Sequence, residues 1–234
     1  MTELGILFIH GAGATPIAWR LQLIRFKEAR AVALPGHTVG SGYSTIGEYA
    51  EFLKRHIETN RLKDIILVGH SMGGAIAIEY VLSNAAPLGI VLVDTGARLG
   101  VRGEILSKIR GNYEDACRMI AQLSVAPGCA PIVTDRLTRE LLKVRQEVTY
   151  GDLVACDRFD RTSEIRKIRC PTLIVCGSED QLTPVKHSEY LHREIANSEL
   201  LVIPGAGHSV MLEKHREFNE ALAAFEASLT RSQC

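Results

Sequence analysis

Three short segments of this 234-residue chain each carry a reactive side chain beside glycine, just past an apolar run. Gly69-His70-Ser71-Met72-Gly73 follows Ile65 to Val68, Gly177-Ser178-Glu179-Asp180 follows Thr172 to Cys176, and Gly205-Ala206-Gly207-His208 follows Leu200 to Ile203. A serine hydroxyl is a weak nucleophile at its free pKa. It needs a base to take its proton and a third group to orient that base. Ser71, His208 and Asp180 are the candidates for these three tasks. A GxSxG between strand and helix holds the serine oxygen out on a strained turn, and the chain order Ser, Asp, His is the one that accompanies such a turn. The chemistry indicated is acyl transfer through a covalent serine intermediate, which also requires two N–H donors for the developing oxyanion. Met72, directly after the serine, supplies one. The glycine-containing loop His10-Gly11-Ala12-Gly13-Ala14 supplies the other, assigned to Ala12.

These segments can meet only if the elements before them end side by side. Apolar runs at Gly5 to Ile9, Ala31 to Leu34, Ile65 to Val68, Ile90 to Val93, Thr172 to Cys176 and Leu200 to Ile203 alternate with helical patterns. Continuous apolar strands separated by helices predict a mostly parallel sheet of about six strands covered on both faces. Parallel strands open their carboxyl ends on one edge, so distant loops converge there. Thr45 and Glu48 form a capping box ahead of Ile46, Tyr49, Ala50, Leu53 and Ile57 at helical spacing. Thr15-Pro16 marks a second helix start, with Trp19 and Leu23 on it. Phe218, Leu222, Phe225 and Leu229 form the apolar stripe of a closing helix.

One stretch breaks the alternation. Between Val93 and Thr172 the pattern shows only helices, around 103–110, 113–123, 135–148 and 150–157. This is too long for a crossover loop and predicts an all-helical insertion lying over the carboxyl ends of the strands. The expected organisation is a core of residues 1–98 and 166–234 with a helical cap of residues 99–165.

Lysine plus arginine balance aspartate plus glutamate, 27 against 27, which argues against nucleic acid as a partner. Met1 to Gly5 lack the basic start of a secretory signal, and no apolar run reaches the length of a membrane span. A soluble, cytoplasmic protein acting on a small molecule is expected, with no membrane contact. The six cysteines (117, 129, 156, 170, 176 and 234) show no metal-ligand spacing. They are expected to be unpaired structural thiols, with a Cys117–Cys129 bridge as the alternative. The histidines lack HExxH spacing, and neither a metal nor any other cofactor is expected.

Other polar residues receive plainer readings. Asp94 also ends a strand and is the rival to Asp180 as the acid. Glu179 reads as a solvated turn residue, His10 and His37 as partners of loop backbone, and His70 as structural. Trp19 reads as core. Tyr113, Tyr150 and Phe159 are candidates to line a pocket, whereas Arg102, Arg110 and Arg118 read as a solvated helix face.

Taken jointly, HGAG at His10, LPGH at Leu34 to His37, GHSMGG at Gly69, PTLIVCGSEDQLTP from Pro171 to Pro184 and GAGHSVMLE from Gly205 to Glu213 resemble the α/β-hydrolase family. The similarity is to its small, helical-capped esterase and lactonase-like members. It implies a Ser71, Asp180, His208 triad, with oxyanion donors at Ala12 and Met72, and the hydrolysis of small carboxylic esters. The alternatives it leaves are a carbon–carbon bond hydrolase or lactonase with the same triad, or a catalytically weak small-ligand receptor. Family members usually carry further strands before the HG strand, so a shortened sheet is implied. Its exposed edge is one that a subunit partner, in a homodimer, would cover.

Overall fold

The computed structural model describes residues 5–231. The starting residues 1–4 and Cys234 lie outside the described residues. Six strands form one parallel sheet: β1 (Gly5–Ile9), β2 (Arg30–Val32), β3 (Ile65–His70), β4 (Gly89–Val93), β5 (Thr172–Gly177) and β6 (Ser198–Ile203). Their spatial order is β2-β1-β3-β4-β5-β6. The order reverses between β1 and β3, and the crevice outside the carboxyl ends at such a switch point is where sheets of this kind hold ligands.

Strand periodicity divides the core into two layers. Leu7, Ile9, Leu67, Ile90, Leu92 and Ile174 face one way, towards α2 (Ile46–Thr59), α3 (Met72–Ser83) and α8 (Lys186–Glu194). Ile6, Phe8, Val68, Val91, Val93 and Val175 face the other way, towards Trp19, α9 (Val210–Glu213) and α10 (His215–Arg231). Both faces are therefore covered, and the continuous apolar strands follow from that. Trp19 is fully buried and stacked on Phe8 at 4.7 Å between ring centroids, as a core residue should be.

Local signals explain most boundaries. Thr45 caps α2, its Oγ1 accepting the Glu48 N–H at 3.3 Å. At Thr15-Pro16 the chain forms a short 3-10 turn over Pro16–Trp19 before α1 (Arg20–Arg25), without a side-chain cap. The second strand stops at Val32, short of Leu34, because the Leu34 N–H donates to His10 Nε2 at 3.3 Å instead of to a neighbouring strand.

Between β4 and β5 lie four α-helices, α4 (Gly103–Gly111), α5 (Tyr113–Leu123), α6 (Pro131–Leu141) and α7 (Gln146–Arg158), and a short 3-10 turn at Ile165–Lys167. The last two α-helices differ from the expected 135–148 and 150–157. Pro131 at the first helical position starts α6 earlier. The break falls at 142–145, where the Tyr113 hydroxyl bonds the Val144 carbonyl at 2.8 Å. A side chain from another helix thus satisfies the chain end, and no local sequence signal reports it. The chain leaves the core and returns beside itself: Arg161 N donates to Ala97 O at 2.8 Å, and Leu99 N to Phe159 O at 3.3 Å. The described cysteines 117, 129, 156, 170 and 176 are all free, and burial pushes the Cys170 and Cys176 thiols up to about 11. No described helix is long and apolar enough to cross a membrane.

A side chain at Gly73 would run into the Ile9 carbonyl, and one at Gly69 into the Gly73 carbonyl. Gly73→Ala should therefore cost about 2–3 kcal/mol in urea unfolding. Gly47→Ala, in α2 with open space around its Cβ, should be neutral or stabilise by up to about 1 kcal/mol. Equal stability of the two variants would contradict the packing described.

Candidate active site

Ser71 sits on the turn between β3 and α3 with φ 53° and ψ −116°, a strained backbone for a residue other than glycine. The turn is held from beneath: Ser71 N donates to Val93 O at 2.9 Å and Thr95 Oγ1 to Ser71 O at 2.8 Å. The loop after β1 lies against the same turn, since a Cβ at Gly11 would come within 3.3 Å of the Ser71 Cβ. Among the described residues, neither the Ala12 nor the Met72 N–H donates a hydrogen bond within the protein. Two donors beside the serine are thus unspent.

Asp180 and His208 meet although their loops follow different strands. A side chain at Gly177 would strike the Ala206 and Gly207 carbonyls, so the two loops dock backbone to backbone. Glu179 N donates to Ala206 O at 2.8 Å, and Gly205 N to Ser178 Oγ at 2.9 Å. His208 Nδ1 lies 2.8 Å from Asp180 Oδ2, which fixes the proton on that nitrogen and leaves Nε2 free. The carboxylate is saturated by Leu182 N, Thr183 N and Thr183 Oγ1 at 2.8–2.9 Å. Burial by itself would raise the Asp180 carboxyl. The attraction of the His208 ring and these bonds outweigh it and hold the group well below the usual carboxylate range.

Asp94, the rival acid, is fully buried and has no bond to His208. Its oxygens accept the N–H groups of Gly177 at 2.9 Å and Val210 at 3.2 Å, so it staples the bases of both loops. Burial, and then the charge of Asp180, raise its carboxyl well above the usual range. Two acids side by side are driven in opposite directions.

His10, His37 and His70 make structural contacts, whereas His187 lines a cavity shared with Ser71 and His208. His10 bonds the Gly11 carbonyl and the Leu34 N–H, and burial followed by the nearby His37 pushes it down to about 3. His70 Nε2 donates to the His208 carbonyl at 2.7 Å, and burial followed by His208 pushes that ring to about 3 as well. Both are neutral at any ordinary pH. His37 bonds the Pro35 carbonyl at 3.0 Å and Asp152 Oδ2 at 2.8 Å.

Ser71 and His208 line two adjoining cavities, with no direct hydrogen bond between their side chains. One, of about 120 Å³, is walled by aliphatic residues including Ile120, Leu137, Leu141 and Met211. The other, of about 230 Å³, counts Arg102, Gln181 and Lys186 among its lining residues. The aromatics Tyr113, Tyr150 and Phe159 line neither: Tyr113 bonds Val144, Tyr150 lies under the Arg110 guanidinium, and Phe159 is core. Arg118 pairs with Glu114 on an exposed face, whereas Arg102 reaches the cavity. The aliphatic lining escaped sequence reading because Leu and Ile at helical spacing look the same towards a core or a cavity. Thr183 and Asp152 also carried no sequence signal of their own.

The chain belongs to the alpha/beta hydrolase family, whose model matches residues 6–221. The AB hydrolase superfamily protein YisY of Bacillus subtilis is 30% identical over 207 residues, covering 81% of this chain and 75% of that protein. The polyketide synthase ThaQ of Burkholderia thailandensis is 32% identical over 178 residues, 68% of this chain but 8% of that protein. The solved structure of a thermophilic esterase superposes with a TM-score of 0.86 at 38% identity, covering 96% of this chain and 90% of the other.

The depressed Asp180 carboxyl stabilises the fold fully above the unfolded value near 3.8, and that stability is lost as pH falls through the lower folded value. Asp180→Asn should therefore unfold more easily than wild type at about pH 7, with the gap closing below about pH 4. Urea titrations across that range check it; a gap independent of pH would contradict the assignment.

Proposed function

We propose that this chain is a serine hydrolase that cleaves small carboxylic esters through an acyl-enzyme. The single observation that carries the reading is the His208 Nδ1–Asp180 Oδ2 contact of 2.8 Å in the same pocket as a serine on a strained strand-to-helix turn. Asp180 orients the imidazole and stabilises its protonated form. His208 Nε2 takes the Ser71 proton as Oγ attacks the ester carbonyl, and returns it to the departing alcohol. The Ala12 and Met72 N–H groups hold the tetrahedral oxyanion, a contribution of about 10² to 10³ in turnover for one such donor. Water then repeats the sequence on the acyl-enzyme, with His208 again as base. No step calls for a cofactor.

The substrate class follows from the cavities. A space of about 120 Å³ with aliphatic walls suits a short acyl chain, and the wider, more polar cavity suits the alcohol side. We assign residues 99–165 as the cap, because Ile120, Leu137, Leu141 and Leu153 of that segment wall the serine's cavity. Likeness to a thermophilic esterase at 38% identity supports ester chemistry over other uses of the fold.

Hydrolysis of a chromogenic short-chain ester should fall by at least about 10³-fold in Ser71→Ala. A serine-directed phosphonate should label Ser71 in the wild type, read by peptide mass spectrometry. Equal rates in both proteins would sink the assignment.

A further inference from the structure

The inserted segment places one carboxylate where the core needs it. Asp152, on α7, is fully buried and bonded only to residues of the hydrolase core. Its Oδ2 accepts the Gly13 N–H at 2.9 Å and lies 2.8 Å from His37 Nε2; its Oδ1 accepts the Tyr49 hydroxyl at 2.6 Å. These partners come from three separate pieces of the core: the loop after β1, the loop after β2, and α2. Bonds to a buried carboxylate are charge-assisted and stronger than neutral ones, and losing the acceptor strands a buried N–H.

Gly13 belongs to the loop that carries Ala12, and its φ of +62° lets the loop turn back on itself, with Ala14 N donating to Gly11 O at 3.3 Å. The Ala12–Gly13 peptide is held at its N–H by Asp152, which limits the rotation of that peptide plane and so the direction of the Ala12 backbone. The same helix blocks the loop from behind: a Cβ at Gly13 would lie 3.0 Å from the Thr149 Cγ2. Farther along, a side chain at Gly151 would come within 2.8 Å of the Tyr43 carbonyl, so α7 lies directly on core backbone. Such a helix is part of the scaffold of the site. Its contacts differ from those of a lid that rests on the rim.

We propose that Asp152 is a positioning residue for oxyanion binding: through Gly13 it aims the Ala12 N–H, so the inserted segment shapes the transition-state site as well as the substrate cavity. This rests on the ester-hydrolase reading above, in which Ala12 is an oxyanion donor. A misaimed donor affects the transition state more than the bound ester, because charge on the carbonyl oxygen develops only there.

The test compares Asp152→Ala and Asp152→Ser, which remove the acceptor of the Gly13 N–H, with Tyr49→Phe, which removes another bond to the same carboxylate but leaves the one to Gly13. The Asp152 variants should lose about 10- to 100-fold in kcat on a short-chain ester, with KM within about threefold. Their affinity for a trifluoromethyl ketone, which forms a tetrahedral oxyanion on the serine, should fall in proportion. Tyr49→Phe should lower Tm yet keep kcat within about threefold. A folded Asp152 variant with wild-type kcat, or one altered in KM alone, would overturn the proposal. So would a Gly13 amide that exchanges with solvent in the wild type as fast as an open loop amide, a measurement that needs no variant to fold. Full activity in Ser71→Ala would defeat the ester-hydrolase reading itself. An inactive Ser71→Ala beside a fully active Asp152→Ala would defeat only the inference about Asp152.

Discussion

The close approach of α3 to the sheet is the constraint on which the rest depends. Gly73 lies against the Ile9 carbonyl and Gly69 against Gly73, leaving no room for a Cβ at either position. That contact forces the turn at Ser71 into its strained conformation and, because Ile9 ends β1, brings the loop His10 to Ala14 beside the serine. Ser71 and a loop with an unspent N–H are therefore placed by one piece of backbone packing. The strain is stored where a rigid sheet can bear it, at the carboxyl end of the central strand β3.

The electrostatics of the site are arranged by burial and by partner choice. His10 and His70 are buried without an acid and stay neutral, which leaves His208 as the one ring at Ser71 that has a carboxylate partner. Asp180 and Asp94 occupy neighbouring strand ends but differ in what meets them. Asp180 faces an imidazole, a hydroxyl and two N–H groups and remains ionised; Asp94 has two N–H groups and a neighbouring negative charge, and its ionisation is disfavoured. One carboxylate orients the ring, while the other fastens together the loops that carry the pair.

The inserted helices enter this scheme through backbone contacts as much as through their aliphatic walls. Glu213, on α9, accepts both Gly207 N and Ala126 N at 2.8 Å, so the loop before α6 is tied to the loop of His208. A side chain at Gly207 would run into the Val125–Ala126 backbone, so the contact is close enough to exclude one. With Asp152 on the other side, the segment between β4 and β5 is bonded beside both the His10 loop and the His208 loop.

Much was legible from the chain alone, for physical reasons. Apolar strand runs, the capping box at Thr45 and the glycine-flanked Ser71, Asp180 and His208 are local signals, and parallel strands bring their carboxyl ends to one edge whatever the loop lengths. The sequence alone therefore determined the six-stranded parallel core, the order of its elements and the residues that gather at that edge. Only the tertiary structure decided that Asp180 rather than Asp94 faces His208, that aliphatic residues rather than Tyr113, Tyr150 and Phe159 wall the cavity, and that α6 ends where Tyr113 reaches its carbonyls. It also decided that Asp152 belongs to the core's hydrogen bonding. Each of these depends on which side chain reaches across from a distant element, and local periodicity records a residue's face but not the partner waiting on the other side.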